Sequence, residues 1–224
     1  MSNKRRLFII GAGSFGRVLE NWLGLIDASL RDWELAGFLH HYEGKSPLDG
    51  FPTDLSIIGD WSDFNFRDSD LCVMGTSDSI WKQHVYEHLK GKVRFFTFID
   101  PTVGLNPRFV DIGEGTVICR NCVIACNVQI GRLVTICMGS QIGHDVGIGN
   151  YTSLMGSVDI SGHVKVGESV FLGSKVAVIP HKSICTGAKV GAGSIVVRSI
   201  KDNKKTYFGN PARPIDLREI ARMR

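Results

Sequence analysis

Residues 112–147 read IGEGTV ICRNCV IACNVQ IGRLVT ICMGSQ IGHDVG, six consecutive hexads that each begin with isoleucine. The spacing of six continues without insertion to Val196, and all fifteen positions of the series are aliphatic. A period of six matches neither an α-helix nor a simple alternating strand. It predicts a prism of short parallel strands in which each face contributes one inward aliphatic side chain per coil.

Two further columns follow the same period. Two residues before each aliphatic position the side chain is usually small or β-branched, as at Thr116 and Val134, and such residues suit a tight corner. One residue after it glycine is frequent, and we expect these glycines to adopt the positive φ that sharp corners need. Several of them are 18 residues apart, namely Gly113, Gly131, Gly149 and Gly167. Three faces therefore close one coil, and residues 18 apart should stack about 4.8 Å from one another.

The spacing Cys119-x-x-Cys122-x-x-x-Cys126 is similar to a metal-cluster motif. The hexad register argues against a cluster, because Cys122 takes a small inward position and Cys119 takes the position usually held by glycine. We expect cysteine to act there as a small hydrophobic residue.

The first hundred residues do not follow the repeat. A predicted strand over 6–10 leads into Gly11-Ala12-Gly13-Ser14-Phe15-Gly16 and a helix over 17–25, the context in which backbone N–H groups hold phosphates. Further strands are predicted over 34–39, near 56–58, and over 71–74 and 93–98, with a second helix over 79–89. The sequence thus indicates an α/β domain over 1–100 and the prism over 101–224.

Composition and charge exclude several classes of protein. Hydrophobic residues make up 43% and charged residues 21%, which is typical of a globular chain. No apolar run is long enough to span a membrane, and the run at 7–10 is too short for a signal peptide. We expect a cytoplasmic protein with six reduced cysteines and no nucleic-acid partner. The net charge of +4 is concentrated near the C-terminus, where it suits either phosphates or simple solvation.

The repeat, the small glycine-loop domain in front of it and the ending Gly209-Asn210-Pro211-Ala212-Arg213 together resemble one family. It is the hexapeptide-repeat bacterial sugar acyltransferases, which modify nucleotide-linked amino sugars or sialic acids. The resemblance covers nearly the whole chain. It implies a Rossmann-like α/β domain, a left-handed parallel β-helix, a short C-terminal helix and a homotrimer.

The segment Ile142-Gly143-His144-Asp145 matches the family's histidine–acid pair, so the resemblance implies that His144 is the catalytic base. Acetyl transfer needs a base for the attacking amine or hydroxyl, and histidine titrates near neutrality. Neighbouring side chains in a strand point in opposite directions, so Asp145 can orient His144 only where the chain bends. We expect Gly143 to permit that bend. The coil rule places Gly162 one coil after His144, as an oxyanion donor, and Asn127 beside Asp145.

The remaining site residues are implied by the resemblance. Those expected to hold the nucleotide-sugar are Gly11, Gly13, Ser14, Gly16, His40, His41, Gly75, Thr76 and Asp78. Those expected to line acetyl-coenzyme A, the acyl donor, are Gly162, His163, Gly173, Val178, Ala192, Arg198 and Arg213. The chain departs from the family at Phe15, at His40-His41 and at Ser153, and all three departures concern the acceptor.

Two other cofactor interpretations are weaker. An NAD site would place an acid at the end of the second strand, where this chain has His40 and His41; tight packing alone also explains the glycine loop. His163 and His181 are 18 residues apart and with His144 suggest a zinc site like that of prism-type carbonic anhydrases. Because His144 lies one column away and that family's ligands are spaced differently, we predict no metal.

The leading hypothesis is acetyl-CoA-dependent N-acetylation of a nucleotide-linked amino sugar in surface-polysaccharide or glycan biosynthesis. An alternative keeps the fold but transfers the acetyl group to a hydroxyl of a sialic acid or another sugar. A third hypothesis, of another class, is a non-catalytic β-helix scaffold. The sequence does not decide which sugar, nucleotide or position is acylated.

Overall fold

The computed structural model describes residues 4–215 and divides into two compact units, which meet in the chain at Thr97 and Phe98. The expected short C-terminal helix lies outside the described residues. Within 4–215, neither α-helix is long and apolar enough to cross a membrane.

The first unit is a five-stranded parallel sheet with two helices. Its strands have the order β3-β2-β1-β4-β5. In chain order the elements are β1 (Arg5–Ile10), α1 (Ser14–Gly24), β2 (Trp33–Leu39), β3 (Ile57–Gly59), β4 (Leu71–Met74), α2 (Ser79–Leu89) and β5 (Arg94–Phe95). The predicted strand over 71–74 and helix over 79–89 are confirmed, and the elements predicted before them agree to within a few residues.

Glycine is required where α1 crosses the sheet. A Cβ built on Gly16 would lie 2.0 Å from the carbonyl oxygen of Gly11, and one built on Gly75 would lie 2.5 Å from that same oxygen. No such approach is possible for a residue with a side chain. These two glycines therefore bring the ends of β1, β4 and α1 together.

The second unit is a parallel β-solenoid with three sheets. The first face contains β7 (Val110–Ile112), β10 (Val128–Ile130), β13 (Gly147–Ile148), β16 (Lys165–Val166) and β19 (Ser183–Ile184). The second contains β6 (Phe98–Ile99), β8 (Val117–Ile118), β11 (Thr135–Ile136), β14 (Ser153–Leu154), β17 (Phe171–Leu172), β20 (Lys189–Val190), β22 (Thr206–Phe208) and β23 (Arg213–Ile215). The third contains β9 (Val123–Ile124), β12 (Gln141–Ile142), β15 (Asp159–Ile160), β18 (Ala177–Val178) and β21 (Ile195–Val196). A 3-10 turn, Pro107–Phe109, precedes β7.

The predicted 18-residue coil is confirmed by the strand register. On the third face Gln141 pairs with Asp159 and Ile142 with Ile160, and the other faces follow the same rule. The aliphatic side chains of the repeat form one continuous buried core along the solenoid. Burial of this column stabilises the fold by roughly 25 cal/mol for each Å² of apolar surface removed from water.

The expectation that the repeat glycines have positive φ is wrong. A Cβ built on Gly113, Gly149 or Gly167 would lie 2.5–2.6 Å from a backbone nitrogen of the next coil, so glycine is needed there for close stacking. The positive φ values fall two residues later. Non-glycine residues in that column are Asn121, Asn127, Leu133, Asp145, Tyr151, Ser157, His163, Ser169, Lys175 and His181, with φ between 52 and 61°.

The single strand predicted over 93–98 is two strands in two different sheets. Arg94 and Phe95 pair with β4 in the first unit, whereas Phe98 and Ile99 pair with β8 in the solenoid. The amide of Phe98 donates to the carbonyl of Thr116 at 2.9 Å. The solenoid pairing therefore begins ahead of the first hexad of the aliphatic repeat.

Candidate active site

His144 and Asp145 are sequence neighbours whose side chains meet at a corner of the solenoid. Nδ1 of His144 lies 2.6 Å from Oδ2 of Asp145. The bend that allows this contact is at Asp145 itself, whose φ is 59°. We expected Gly143 to provide it; glycine is needed there instead because a Cβ would lie 2.7 Å from the nitrogen of Gly162. Aspartate tolerates the left-handed conformation better than most residues do.

Asp145 is held on its other side by the preceding coil. Nδ2 of Asn127 donates to Oδ1 of Asp145 at 2.5 Å, as the coil rule predicts for residues 18 apart. The bonds from His144 and Asn127, in that order, hold the pKa of the Asp145 carboxyl below its ordinary value. The carboxylate is therefore ionised at neutral pH and positioned by two partners.

This contact determines the tautomer of His144. An ionised carboxylate only accepts hydrogen bonds, so Nδ1 of His144 must carry a proton and donate it to Asp145. The lone pair of a neutral imidazole then lies on Nε2. The dyad thus presents a basic nitrogen whose orientation is fixed through Asp145.

The backbone of Gly162 lies against the imidazole. A Cβ built on Gly162 would be 2.7 Å from both Cε1 and Nε2 of His144, so any larger residue would displace the ring. The side chain of His144 is about half exposed. The ring therefore rests on bare backbone while its outer edge remains open to solvent.

The N–H group of Gly162 has no hydrogen-bond partner within residues 4–215. At two corresponding positions of the repeat the amide is capped by a side chain one coil later, whereas the amides of Gly156 and Ala192, like that of Gly162, have no partner among the described residues. Arg132 N donates to Oδ1 of Asn150 at 2.9 Å, and Glu168 N donates to Oγ1 of Thr186 at 3.2 Å. The residue one coil after Gly162 is Pro180, whose side chain has no acceptor atom. This donor beside His144 is thus available to a substrate.

Two further histidines continue the column of Asn127 and Asp145. The rings of His163 and His181 are stacked with centroids 4.7 Å apart and planes 7° from parallel, as their spacing of 18 predicts. Nε2 of His163 lies 3.7 Å from Oδ2 of Asp145. That separation is too long for a hydrogen bond but within the range of electrostatic interaction.

His144, Asp145 and His163 are the one group of three possible metal ligands among the described residues, with ligand atoms within 4.8 Å of one another. His181 does not belong to this group, so the arrangement is not the three-histidine set considered from the sequence. The expected absence of a metal stays a prediction.

A groove of about 840 Å³ runs along the first face of the solenoid beside the dyad. Asp145 and Asn127 contribute to its wall, together with Lys165 and Glu168. Its lining includes acidic and basic side chains and several glycines, which suits a polar ligand that lies along the coils.

The residues expected to line the coenzyme divide into two groups. His163, Ala192, Arg198 and Arg213 are exposed and available to a ligand. Val178 is not, because it faces inward at 1% exposure and packs in the solenoid core. Gly173 is buried as well, and a Cβ there would lie 2.6 Å from the nitrogen of Ala192. We therefore withdraw Val178 and Gly173 as coenzyme contacts.

The first unit has a cavity of about 680 Å³ at the carboxyl ends of its parallel strands. It contains seven of the nine residues expected to hold a nucleotide-sugar, namely Gly11, Gly13, His40, His41, Gly75, Thr76 and Asp78. Ser14 and Gly16 do not line it: Gly16 is packed on β1 and Ser14 is on the exposed first turn of α1.

Sequence reasoning missed five residues of this cavity. They are Asp60, Trp61, Ser62, Trp81 and His84. Asp60, Trp61 and Ser62 directly follow β3, and loops that follow parallel strands meet at one edge of the sheet. The resemblance implied Gly75 to Asp78 after β4, and this rule about loops would have added the residues after β3.

The cysteines do not form a cluster. Cys119 and Cys122 are buried, whereas Cys126 is exposed. The thiol of Cys122 donates to the carbonyl oxygen of Cys137 at 3.3 Å, and burial raises its pKa to about 11. Cys119 and Cys122 therefore behave as small core residues, as the hexad register predicted.

Solved structures with the same fold are acetyltransferases. The acetyltransferase domain of PglB from Neisseria gonorrhoeae FA1090 matches with a TM-score of 0.82 and 19% identity, over 95% of this chain and 100% of that one. That domain has also been solved with acetyl-coenzyme A. WeeI from Acinetobacter baumannii AYE matches with a TM-score of 0.63 and 20% identity, over 95% and 100% of the two chains.

A third match is a histidine-to-asparagine variant of perosamine N-acetyltransferase from Caulobacter crescentus, in complex with CoA and GDP-perosamine. Its TM-score is 0.81 at 25% identity, over 94% of this chain and 96% of that one. This chain shares the fold of the perosamine N-acetyltransferase and of the PglB acetyltransferase domain. The resemblance seen in the repeat is thereby confirmed. No protein-family model matches the chain, and no curated protein sequence matches it.

Proposed function

We propose that this chain transfers the acetyl group of acetyl-coenzyme A to the amino group of a nucleotide-linked sugar in glycan biosynthesis, with His144 as general base. The observation that carries the proposal is the His144–Asp145 dyad, whose ring packs on Gly162, a residue whose backbone N–H has no partner within residues 4–215. The shared fold of the perosamine and PglB enzymes supports the acyl donor and the type of acceptor.

The dyad supplies the base that amide formation requires. As the amine attacks the thioester carbonyl, a C–N bond forms, Nε2 of His144 takes the amine proton and the C–S bond then breaks to release the thiolate of CoA. The imidazolium formed on His144 is stabilised by the carboxylate of Asp145 at 2.6 Å. General base catalysis of this kind typically contributes about 10²–10⁴-fold in rate.

Gly162 supplies the electrostatic part of the mechanism. Its N–H is fixed by the solenoid backbone and lies beside the base, where the thioester oxygen acquires negative charge. A fixed donor of this type contributes about 2.7–4 kcal/mol where it has been measured. We assign this oxyanion role to the Gly162 amide and a coenzyme-lining role to His163 and Ala192, with phosphates near Arg198 and Arg213.

The first unit supplies the acceptor side of the proposal. We infer that it is a Rossmann-like nucleotide-binding domain, in which the glycine loop after β1 takes the phosphates and the loop Gly75 to Asp78 takes the sugar. Its strand order reverses between β1 and β4, the position at which open α/β sheets bind ligands. We further infer a left-handed solenoid, a homotrimer and a cytoplasmic location, the last in keeping with six free cysteines.

The test is acetyl-CoA turnover with a panel of UDP-, dTDP- and GDP-linked amino sugars, with the product treated with mild hydroxylamine. An amide product survives hydroxylamine, whereas an ester releases acetate and would identify O-acetylation. The variant His144→Ala must lose turnover while it retains its circular dichroism spectrum and elution volume. Failure to bind CoA in calorimetry would instead support the scaffold interpretation.

A further inference from the structure

The cavity of the first unit is built by four loops that follow β1, β2, β3 and β4. At about 680 Å³ it has the size of a site for a nucleotide rather than for an isolated ion. The loop after β1 leads into α1, whose N-terminus has no side-chain cap, so its amides are available to phosphate oxygens. These features place the phosphate groups of a bound nucleotide at Gly11 to Gly13, which form the phosphate end of the cavity.

The loops after β2 and β3 lie on one side of that phosphate end. Parallel strands are about 4.8 Å apart, so these loops are one and two strand spacings away from the glycine loop after β1. A ribose attached to the bound phosphates would extend from the glycine loop toward these two loops. In sheets of this kind the ribose hydroxyls are bound by an acid that follows the second strand.

This chain has His40 and His41 after the second strand, and the acid comes from the third. Oδ2 of Asp60 lies 2.6 Å from Nδ1 of His41. Oδ1 of Asp60 accepts from the amide of Ser62 at 3.0 Å and from its hydroxyl at 2.9 Å. The carboxylate is thereby fixed at the wall of the cavity, about a quarter exposed.

The carboxylate of Asp60 has one acceptor site that no protein group within residues 4–215 uses. Burial raises its pKa, but the bonds from Ser62 and His41 outweigh burial, so the pKa lies below its ordinary value. Each oxygen of an ionised carboxylate accepts about two hydrogen bonds. Oδ1 already accepts two bonds from Ser62, whereas Oδ2 contacts only His41 and can therefore still accept one from a ligand.

We propose that Asp60, oriented by His41 and Ser62, accepts a hydrogen bond from the 2′-hydroxyl of the ribose of the nucleotide, so that the chain selects ribonucleotide sugars over 2′-deoxyribonucleotide sugars. This inference rests on the proposed nucleotide-sugar function and narrows its substrate class. It explains how the cavity functions without an acid after β2. The carboxylate comes instead from Asp60 in the loop after β3, where it contacts the side chain of His41.

The experiment is calorimetry on the full chain with two matched pairs of ligands, GDP with 2′-deoxy-GDP and UDP with 2′-deoxy-UDP. We expect the ribonucleotide of at least one pair to bind about tenfold more tightly than its deoxy partner, a difference of about 1.4 kcal/mol. In Asp60→Asn that preference should disappear through weaker binding of the ribonucleotide. Asp63→Asn is the matched control, because Asp63 is an exposed acid of the same loop and does not line the cavity.

Two results would overturn the inference in distinguishable ways. Equal affinities for ribo and deoxy partners in the unchanged chain, with nucleotide binding otherwise intact, would refute the role of Asp60 and leave the proposed function standing. Binding of none of the four nucleotides would refute the nucleotide site itself and with it the nucleotide-sugar part of the proposed function. The ligand-side comparison needs no substitution, so it does not depend on the folding of a variant.

Discussion

Nε2 of His144 faces the backbone of Gly162, a residue 18 positions later in the chain, closely enough that a Cβ on Gly162 would lie 2.7 Å from it. The two residues are one coil of the solenoid apart in sequence, and the fold packs the imidazole of His144 against the glycine. The relationship depends on the strand register and on the absence of a side chain at residue 162.

Replacing Gly162 by alanine should impair catalysis more than folding. Its φ is not positive, so alanine is compatible with the backbone, but the added methyl would push the His144 ring out of position. We expect kcat to fall by about 10²-fold, the typical effect of a 1 Å misplacement, with little change in Tm. Gly156→Ala is the control, since Gly156 has the same hexad position and its nearest contact would be 3.7 Å away. Equal activity of the two variants would refute the proposed packing.

Asp145→Asn should separate the charge of the dyad from its backbone geometry. Asparagine tolerates the left-handed conformation, so the corner should be retained while the imidazolium loses its counter-charge. We expect kcat to fall by about 10–100-fold in steady-state assays, with KM for acetyl-CoA little changed. A parallel loss in Asp159→Asn, an exposed acid of the next coil, would show that the effect is non-specific.

The same variant has a predictable dependence of stability on pH. The pKa of Asp145 is lower in the folded chain than its ordinary value of 3.8, so the charged form is favoured by folding. Its stabilising contribution is therefore complete above that ordinary value and is lost as the pH falls through the folded value. Thermal melts from pH 6 to pH 3 should show the difference in Tm between the unchanged chain and Asp145→Asn narrowing at the acidic end. A constant difference would contradict the linkage.

The glycines between coils should be essential for stability. In Gly167→Ala the methyl would lie 2.5 Å from the backbone nitrogen of Thr186, which cannot move without separating two coils. We expect a loss of about 1–3 kcal/mol in the free energy of unfolding, the usual cost of overpacking. Gly147→Ala serves as the control, because a Cβ there meets nothing within 4 Å. Denaturant titrations of both variants would provide the comparison.

Removal of metal ions should leave the reaction unaffected. Although His144, Asp145 and His163 approach one another closely enough to bind an ion, the proposed dyad keeps a proton on Nδ1 of His144 toward Asp145 and the Nε2 lone pair for the amine, so neither ring nitrogen is left for an ion. Dialysis against EDTA should not change turnover. A loss that is restored by added zinc would instead assign the three residues to a metal centre.

The solenoid and the contacts between its coils could be predicted from the sequence because each depends on a fixed interval, whereas the dyad was implied by the family resemblance of residues 142–145. The interval of six gave the buried column, and the interval of 18 brought Asn127 to Asp145 and His163 to His181. The conformation at each corner could not be predicted in this way. Periodicity shows which residues recur but not which φ they adopt, so the positive φ was assigned to Gly143 and its equivalents instead of to Asp145.

Side-chain direction was the other source of error. Val178 was expected at the coenzyme, yet its position in the hexad is the inward one, and the same pattern that revealed the core should have excluded it. Asp60 could not be singled out in the sequence, because the rule for ribose binding points only to an acid after the second strand. Residues that a fold brings together from separate strands carry no local motif, so they are found only once the order of the strands is known.

The stacking register has a consequence for how the gene can change. Strand pairing joins residues 18 apart, so an insertion of six between His144 and Gly162 would carry the glycine to the next face of the solenoid. An insertion of 18 would restore the face but place a whole coil between the two residues. The interval from His144 to Gly162 can therefore accept substitutions but no change in length. Loops outside the repeat are not bound by this 18-residue register.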